Sequence, residues 1–519
     1  MQGPLWRPLL VCAVAGLAQA ASIAWPAGGQ PVGWLQVLSL SVQVAVVWGQ
    51  PSWRRAAAAG WAFAIAWLAM TWWWLFISMH VYGGLPAPLA MLAVLALAAA
   101  LGLYYGVAAG MAWRLSRPVA VPGVLASLVF AAAWLLAELA RGRWFTGFPW
   151  GAGGYAHVDG WLAVLAPWAG VYGIGAVAAF AAACLAAARR AVSARWALAA
   201  VGLVAAVMAW VPAGPIEPHG SPMAVSLLQG NIPQDEKFRP GSGIPQALSW
   251  YARELRDAAD GLVVAPETAI PLLPRHLPPG YLDEIAAPFI GARDQGRGQS
   301  KDRAALIGLP LGDAKSGYTN SVIGLRPGAG DIYRFDKYHL VPFGEFVPPL
   351  FRWFTDLMEI PLGDFARGGL GQASFEWQGQ RLAPNVCYED LFGEELGARF
   401  AHEPQAPTVF VNVSNIAWFG DTVAIDQHLG ISRMRALEFR RPVIRATNTG
   451  ATAIIDGQGR VTAQLPPHTR GVLRGQVQGQ SGLTPYARWV SAWQLAPLWA
   501  ASIAILLIAA ILLKRRPSD

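Results

Sequence analysis

Three short stretches in the second half of the chain carry side chains that could do chemistry. Leu262-Val263-Val264-Ala265-Pro266-Glu267-Thr268 ends at a carboxylate. Residues 333–345 carry the ammonium of Lys337 and, eight positions on, the carboxylate of Glu345. Leu382-Ala383-Pro384-Asn385-Val386-Cys387-Tyr388-Glu389-Asp390 runs into a thiol followed by two acids. A nucleophilic cysteine needs its thiolate, a base to take the proton and a cation where oxyanion charge develops. Glu267, Lys337 and Cys387 supply those parts. Singly they also read as a solvated acid, a surface cation and an inert buried thiol. Together, at three strand ends, they point to one site, because α/β sheets present reactive groups there. An adjacent ammonium lowers a thiol pKa from about 8.5, so Lys337 is expected to favour the thiolate while Glu267 handles the proton.

Other chemistries find less support. The same block holds no Gly-x-Ser-x-Gly elbow and no Ser-His-Asp order. The eight histidines form no His-x-x-x-His pair, and a solitary cysteine makes a poor zinc site, so neither metal nor cofactor is expected.

The elements that must position these groups are legible from Ser221 onward. Short β-branched runs at 223–230, 262–266, 304–309, 320–325, 382–387, 408–413, 442–447, 452–456 and 471–477 read as strands. Helical patterns fall between several of them, as at 245–260 and 426–440. Strands alternating with helices define a layered α/β domain, large enough over residues 213–490 to bury its own core.

The remainder is apolar. The 519-residue chain is 55% hydrophobic and 13% charged, where a soluble protein carries about a quarter charged residues. Apolar runs at 9–25, 32–48, 57–79, 87–113, 120–140, 161–188, 196–212 and 491–513 are read as eight membrane helices. Trp72, Trp73, Trp74, Tyr104, Tyr105, Trp210 and Trp493 mark their ends, as suits the headgroup zone. The net charge of +8 belongs to residues 1–212, which hold ten Arg, no Lys and two acids, whereas 213–519 are neutral. A folded nucleic-acid binder would cluster cations on its polar domain, so nucleic acid is excluded as a partner.

Alternate connections carry Arg7, then Arg54 and Arg55, then Arg114 and Arg117, then Arg189, Arg190 and Arg195, then Lys514, Arg515 and Arg516. By the positive-inside rule both termini are cytoplasmic and the polar block faces outward. Arg7, the first apolar run and Ala18-Gln19-Ala20 also resemble a cleavable signal peptide, whose removal would still export the block. Cys12 and Cys184 lie in apolar runs, leaving Cys387 alone in an oxidising compartment where thiols usually pair.

Pro266-Glu267-Thr268, the run from Lys337 to Glu345, and Val386-Cys387-Tyr388-Glu389 resemble the Glu-Lys-Cys signature of the nitrilase (carbon–nitrogen hydrolase) superfamily. With apolar helices on both sides and Thr146-Gly147-Phe148-Pro149-Trp150 between the fifth and sixth, the entire chain resembles the bacterial apolipoprotein N-acyltransferases. The resemblance implies an αββα sandwich inserted between transmembrane helices 7 and 8 of an eight-helix membrane domain. The membrane parts would be 1–212 and 491–519, the catalytic domain 213–490. It implies a bacterial inner-membrane enzyme with a periplasmic catalytic domain, which acts as a monomer. Its activity would be ping-pong acyl transfer from a phospholipid donor, through a cysteine thioester, to the N-terminal amine of a diacylated apolipoprotein. Cys387 would be the nucleophile, Glu267 the general base and Lys337 the oxyanion cation; Glu345, Tyr388 and Glu389 would support them.

Further residues are candidates for substrate contact. Phe238 stands where the family usually has Trp, keeping an aromatic platform without the indole N–H. Trp418 and Phe419, beside Gly420, suggest a mobile lid touching acyl chains; ordinary core packing is the alternative. Arg141 and Arg143, with Trp150 nearby, stand against the positive-inside trend and are headgroup candidates, interfacial snorkelling being the alternative. Arg433, Arg435, Arg440, Arg441 and Arg445 read as structural salt bridging, with Glu438 a local partner. Two competing functions remain. A membrane-anchored nitrilase-like amidase would use the same acyl-enzyme but would need only one anchoring helix. A transporter or scaffold would leave the Glu-Lys-Cys set unexplained, and Glu138 is the one carboxylate within the runs.

Overall fold

The computed structural model describes residues 4–116, 123–259, 261–290, 302–328, 331–347 and 364–514. Arg117, Arg515, Arg516 and the start of the fifth apolar run lie outside them. The chain forms two compact units, Met1–Phe76 with Pro86–Ala213 and Trp493–Asp519, and Ile77–Leu85 with Gly214–Ala492. The short segment Ile77–Leu85 thus joins the second unit, although the sequence reads it as part of the membrane domain.

The first unit is helical. Its elements are α1 (Trp6–Ile23), α2 (Gly33–Trp48), α3 (Trp53–Thr71), α4 (Ala87–Ser116), α5 (Val124–Arg143), α6 (Ala166–Ala187), α7 (Val192–Met208) and the C-terminal helix Ala496–Lys514. Each of the eight apolar runs overlaps one of these helices. The third run breaks at Trp72–Trp74 and resumes as helical turns from Leu75 to Tyr82. Among the described residues, five helical segments are long and apolar enough to cross a bilayer, or six with the broken one. Gly33–Trp48 and Val192–Met208 are apolar but shorter. Small residues let helices approach: a Cβ on Gly60 of α3 would lie 2.4 Å from the Ala109 Cβ of α4.

The second unit stacks two six-stranded mixed sheets. The first contains β1 (Met223–Gln229), β2 (Gly261–Ala265), β3 (Arg303–Asp313), β4 (Gly317–Leu325) and β5 (Tyr333–Asp336). The second contains β6 (Phe375–Trp377), β7 (Gln380–Val386), β8 (Val409–Ser414), β9 (Val443–Thr447), β10 (Ala453–Ile455) and β11 (Val461–Gln464). The last strand, β12 (Gly471–Val477), returns to the edge of the first sheet. Strand orders are β12-β1-β2-β3-β4-β5 and β11-β10-β9-β8-β7-β6. In each sheet three central strands run parallel, β1-β2-β3 and β7-β8-β9, and antiparallel strands flank them.

Strand alternation divides the apolar side chains between two layers. Val225, Leu227, Leu262, Val264 and Leu306 meet Leu382, Val386, Val411, Val413 and Ile444 between the sheets. On the opposite faces, Leu228, Val263 and Ile307 pack under α8 (Gly243–Arg256) and α9 (Tyr281–Ile290). Phe410 and Val443 pack under α10 (Ala424–Phe439) and α11 (Pro485–Trp493). The result is an αββα sandwich. Each fully buried aliphatic side chain contributes about 1.5–3 kcal/mol, which is why the strands read as near-continuous apolar runs.

Candidate active site

All three reactive groups sit just beyond carboxyl ends of strands. Glu267 lies two residues after β2, and a Cβ on Gly308 of the neighbouring β3 would come within 2.3 Å of the Pro266 carbonyl oxygen. That glycine lets the strand end pass close by. Lys337 follows β5 directly and Cys387 follows β7. Cys387 has φ +52°, a left-handed conformation that turns the chain sharply at the thiol.

Hydrogen bonds join the first two groups. Asn320 Nδ2 donates to Glu267 Oε1 and to Glu345 Oε1, each at 2.7 Å. The Asn415 backbone N–H donates to Glu267 Oε2 at 2.8 Å, so both oxygens of the base are held. Lys337 Nζ lies 2.9 Å from Glu345 Oε2 and 3.6 Å from Glu267 Oε1. Glu345 also accepts the Val341 N–H at 2.8 Å. Glu389 ties this loop to the nucleophile: Oε1 accepts the N–H groups of Tyr338 and His339, and Oε2 accepts that of Val386. Tyr388 is buried and packs its ring against Phe392 and His339. Glu345, Tyr388 and Glu389 therefore stand around the three reactive residues.

The electrostatics refine one expectation. Burial pushes the Cys387 thiol up to about 12, and Glu267 adds to the rise against Lys337 and a hydrogen bond with Ser414. Lys337 does favour the thiolate, as expected, but burial and Glu267 outweigh it. Burial alone would discharge Lys337, but Glu345, Glu267 and the thiolate raise it well above the ordinary lysine value. Cys387 is thus a thiol beside a buried cation and an oriented carboxylate. Burial likewise raises Glu389, against its three backbone N–H partners and Lys337.

A second lysine, Lys237, escaped the sequence reading although its neighbour Phe238 drew attention. Lys237 is 2% exposed, and its Nζ donates to the Glu267 carbonyl oxygen at 3.1 Å. Burial lowers it to about 7, against the attraction of Glu267 and Cys387. The same stretch contributes Gln234, which accepts from Asn415 Nδ2 at 2.9 Å, while Asn448 Nδ2 donates to Asn415 Oδ1 at 3.0 Å. The missed signal is polar: Asn320, Asn415 and Asn448 interrupt or follow apolar strands.

The outlying candidates separate. Phe238 is partly exposed, with Lys237 Nζ 6.0 Å from its ring centroid. Trp418 and Phe419 form the 3-10 turn Ile416–Phe419 directly after Asn415, and Trp418 meets Tyr82 edge-on at 6.0 Å. In the helical unit, Arg143 is exposed. Arg141 departs from the headgroup expectation. It is fully buried, its Nε donates to Tyr105 at 2.8 Å, and its Nη1 donates to the Phe148 and Trp150 carbonyls. Glu138 lies 3.7 Å away, so the guanidinium serves the helical interior. Trp150 is also internal, 4.8 Å from Trp74 between ring centroids. Arg435 pairs with Glu438 at 3.0 Å and Arg441 Nε donates to the Pro407 carbonyl at 2.6 Å, consistent with structural roles. Among the described residues, no group of three or more His, Cys, Asp or Glu is arranged to hold a metal ion.

Sandwich and site define a carbon–nitrogen hydrolase, and residues 225–486 match that family model. Residues 15–184 match the model of the apolipoprotein N-acyltransferase N-terminal domain. An apolipoprotein N-acyltransferase from Verminephrobacter eiseniae is 59% identical over 509 residues, covering 93% of this chain and 92% of its own. Another, from Ralstonia nicotianae, is 46% identical, covering 93% of this chain and 90% of its own. The chain belongs to the apolipoprotein N-acyltransferase family. Among solved structures, an amidase of the nitrilase superfamily from Nesterenkonia aligns with 52% of this chain and 95% of its own, at 16% identity and TM-score 0.34.

Proposed function

We infer that this chain moves a fatty acyl group from a membrane phospholipid to the N-terminal amine of a lipoprotein's diacylglyceryl-cysteine, through a thioester on Cys387. The supporting observation is the buried Glu267–Asn320–Glu345–Lys337 network beside the Cys387 turn, in a chain whose relatives are apolipoprotein N-acyltransferases.

In the first half-reaction Glu267 takes the Cys387 proton as the sulfur attacks the ester carbonyl. Lys337 faces the oxyanion of the tetrahedral intermediate. Collapse breaks the ester C–O bond, Glu267 returns the proton to the leaving alkoxide, and a lysophospholipid departs. In the second half-reaction the acceptor amine attacks the thioester carbonyl and gives a proton to Glu267. The C–S bond then breaks, and the departing sulfur recovers that proton. One carboxylate serves both halves. Glu345 and Glu389 hold Lys337 and the Cys387 turn; Tyr388 packs behind them.

In this reading the apolar runs make eight crossings, with 213–490 between the seventh and eighth. Both termini are cytoplasmic, the catalytic domain is periplasmic in a bacterial inner membrane, and one chain suffices for activity. Phe238, Trp418 and Phe419 border the acyl path, and exposed Arg143 remains the headgroup candidate.

The test incubates purified enzyme with acyl-labelled phospholipid, then adds a diacylated lipopeptide. Label should appear on Cys387 and move to the peptide amine; release only as free fatty acid would refute transfer. Cys387→Ser should form no thioester, and Glu267→Gln and Lys337→Met should each lower the rate about 10²-fold or more.

A further inference from the structure

Behind the nucleophile lies a buried polar cluster that none of these steps uses. The Cys387 carbonyl oxygen faces two side-chain nitrogens, Asn412 Nδ2 at 3.2 Å and His428 Nε2 at 3.2 Å. His428 Nδ1 lies 3.2 Å from Arg445 Nη2. A guanidinium can only donate, so Nδ1 must accept, and the ring proton sits on Nε2. From there it points at the Cys387 carbonyl and at Asp390 Oδ1, 3.0 Å away.

The other Asp390 oxygen accepts from the Ser432 hydroxyl at 2.5 Å and lies 3.4 Å from Arg445 Nη1. Arg445 further donates to the His428 and Ala451 carbonyls and to the Ser432 hydroxyl. His428, Ser432 and Arg445 are fully buried and Asp390 is 2% exposed. Burial works against the Asp390 carboxylate, but His428, Arg445 and Ser432 hold it below its ordinary value. His428 and Ser432 stand one turn apart on α10, Arg445 on β9 and Asn412 on β8, so three elements converge on the nucleophile's peptide.

We propose that His428 is a positioning residue whose Nε2–H, fixed in that tautomer by Arg445, holds the Cys387 carbonyl together with Asn412 and so maintains the left-handed turn that aims the thiol. The proposal rests on Cys387 being the nucleophile. A displacement of about 1 Å at a reacting atom can cost about 10² in rate, which is what a slackened carbonyl would permit.

Thioester formation from labelled phospholipid is measured on the full-length enzyme for wild type, His428→Leu, His428→Gln and Cys387→Ser. Leucine fills the space without a donor, whereas glutamine supplies an amide N–H to the carbonyl and an oxygen to Arg445. H428L should lose about 10² in kcat with KM for phospholipid nearly unchanged, and H428Q should recover to within about tenfold of wild type. Equal losses in both variants, a loss confined to KM, or an unimpaired H428L would overturn the proposal. Acyl-enzyme formed by C387S at a residue other than 387 would instead refute the nucleophile assignment. Should H428L fail to fold, nitrogen NMR of histidine-labelled wild type, with the signal assigned by its loss in H428Q, reads the tautomer directly. An Nε2–H signal supports the proposal, and an Nδ1–H signal overturns it.

Discussion

In the proposed mechanism Glu267 and Cys387 divide the acid–base work in a way their burial dictates. The carboxylate is oriented by Asn320 and the Asn415 N–H, while the thiol keeps its proton. Alkylation of Cys387 by iodoacetamide in the substrate-free enzyme should therefore accelerate about tenfold per pH unit from 7 to 10. A plateau below pH 9 would contradict the raised thiol pKa. Lys237 gives a linked test of stability. Its folded value is lowered to about 7, so between there and the unfolded lysine value the unfolded chain binds more protons. Stability contributed at this position must rise with pH over that interval. Wild type should gain thermal stability relative to Lys237→Met as pH increases from 7 to 10; parallel curves would show that Lys237 is not discharged by folding.

At the scale of elements, the long strands were legible; of the short ones only β10, read at 452–456, was. β2 and β7 announce themselves as apolar runs ending at Glu267 and Cys387. β5 and β6 span Tyr333–Asp336 and Phe375–Trp377, too short to display a period. The supporting amides were hidden for a related reason: a polar residue in a strand acquires meaning from what lies across from it. Asn385 pairs in register with Asn412, and Asn320 faces Pro310, relations that no linear spacing encodes. Arg141 misled for the opposite reason. Its position near a helix end suggested an exposed cation, yet the backbone carbonyls of Phe148 and Trp150 fold back to receive it. The turn carrying Trp418 and Phe419 begins beside Asn415, whose N–H holds the base. Trp418→Ala and Phe419→Ala should reduce turnover of membrane phospholipid more than that of a short-chain ester; equal effects on both would leave the residues as core packing. In the helical unit, Gly60→Val forces α3 and α4 apart. It should lower the unfolding temperature, as overpacking costs about 1–3 kcal/mol.

For the whole molecule, the +8 charge turns out to lie entirely in the apolar half, while the block that bears the site is electrically balanced. The proposed topology separates two short loops that can be labelled. In intact cells of the C387S background, a membrane-impermeant maleimide should modify Gly28→Cys and leave Arg54→Cys untouched; the reverse pattern would invert the orientation.

The raised thiol pKa also bears on how the enzyme endures between turnovers. In the oxidising compartment proposed for this unit, it is the thiolate that attacks disulfides and peroxides. A thiol pushed up to about 12 exposes roughly 10³-fold less thiolate at neutral pH than a free cysteine near 8.5. A solitary Cys387 is thereby less prone to oxidation, and in the proposed mechanism its nucleophile appears when Glu267 takes the proton.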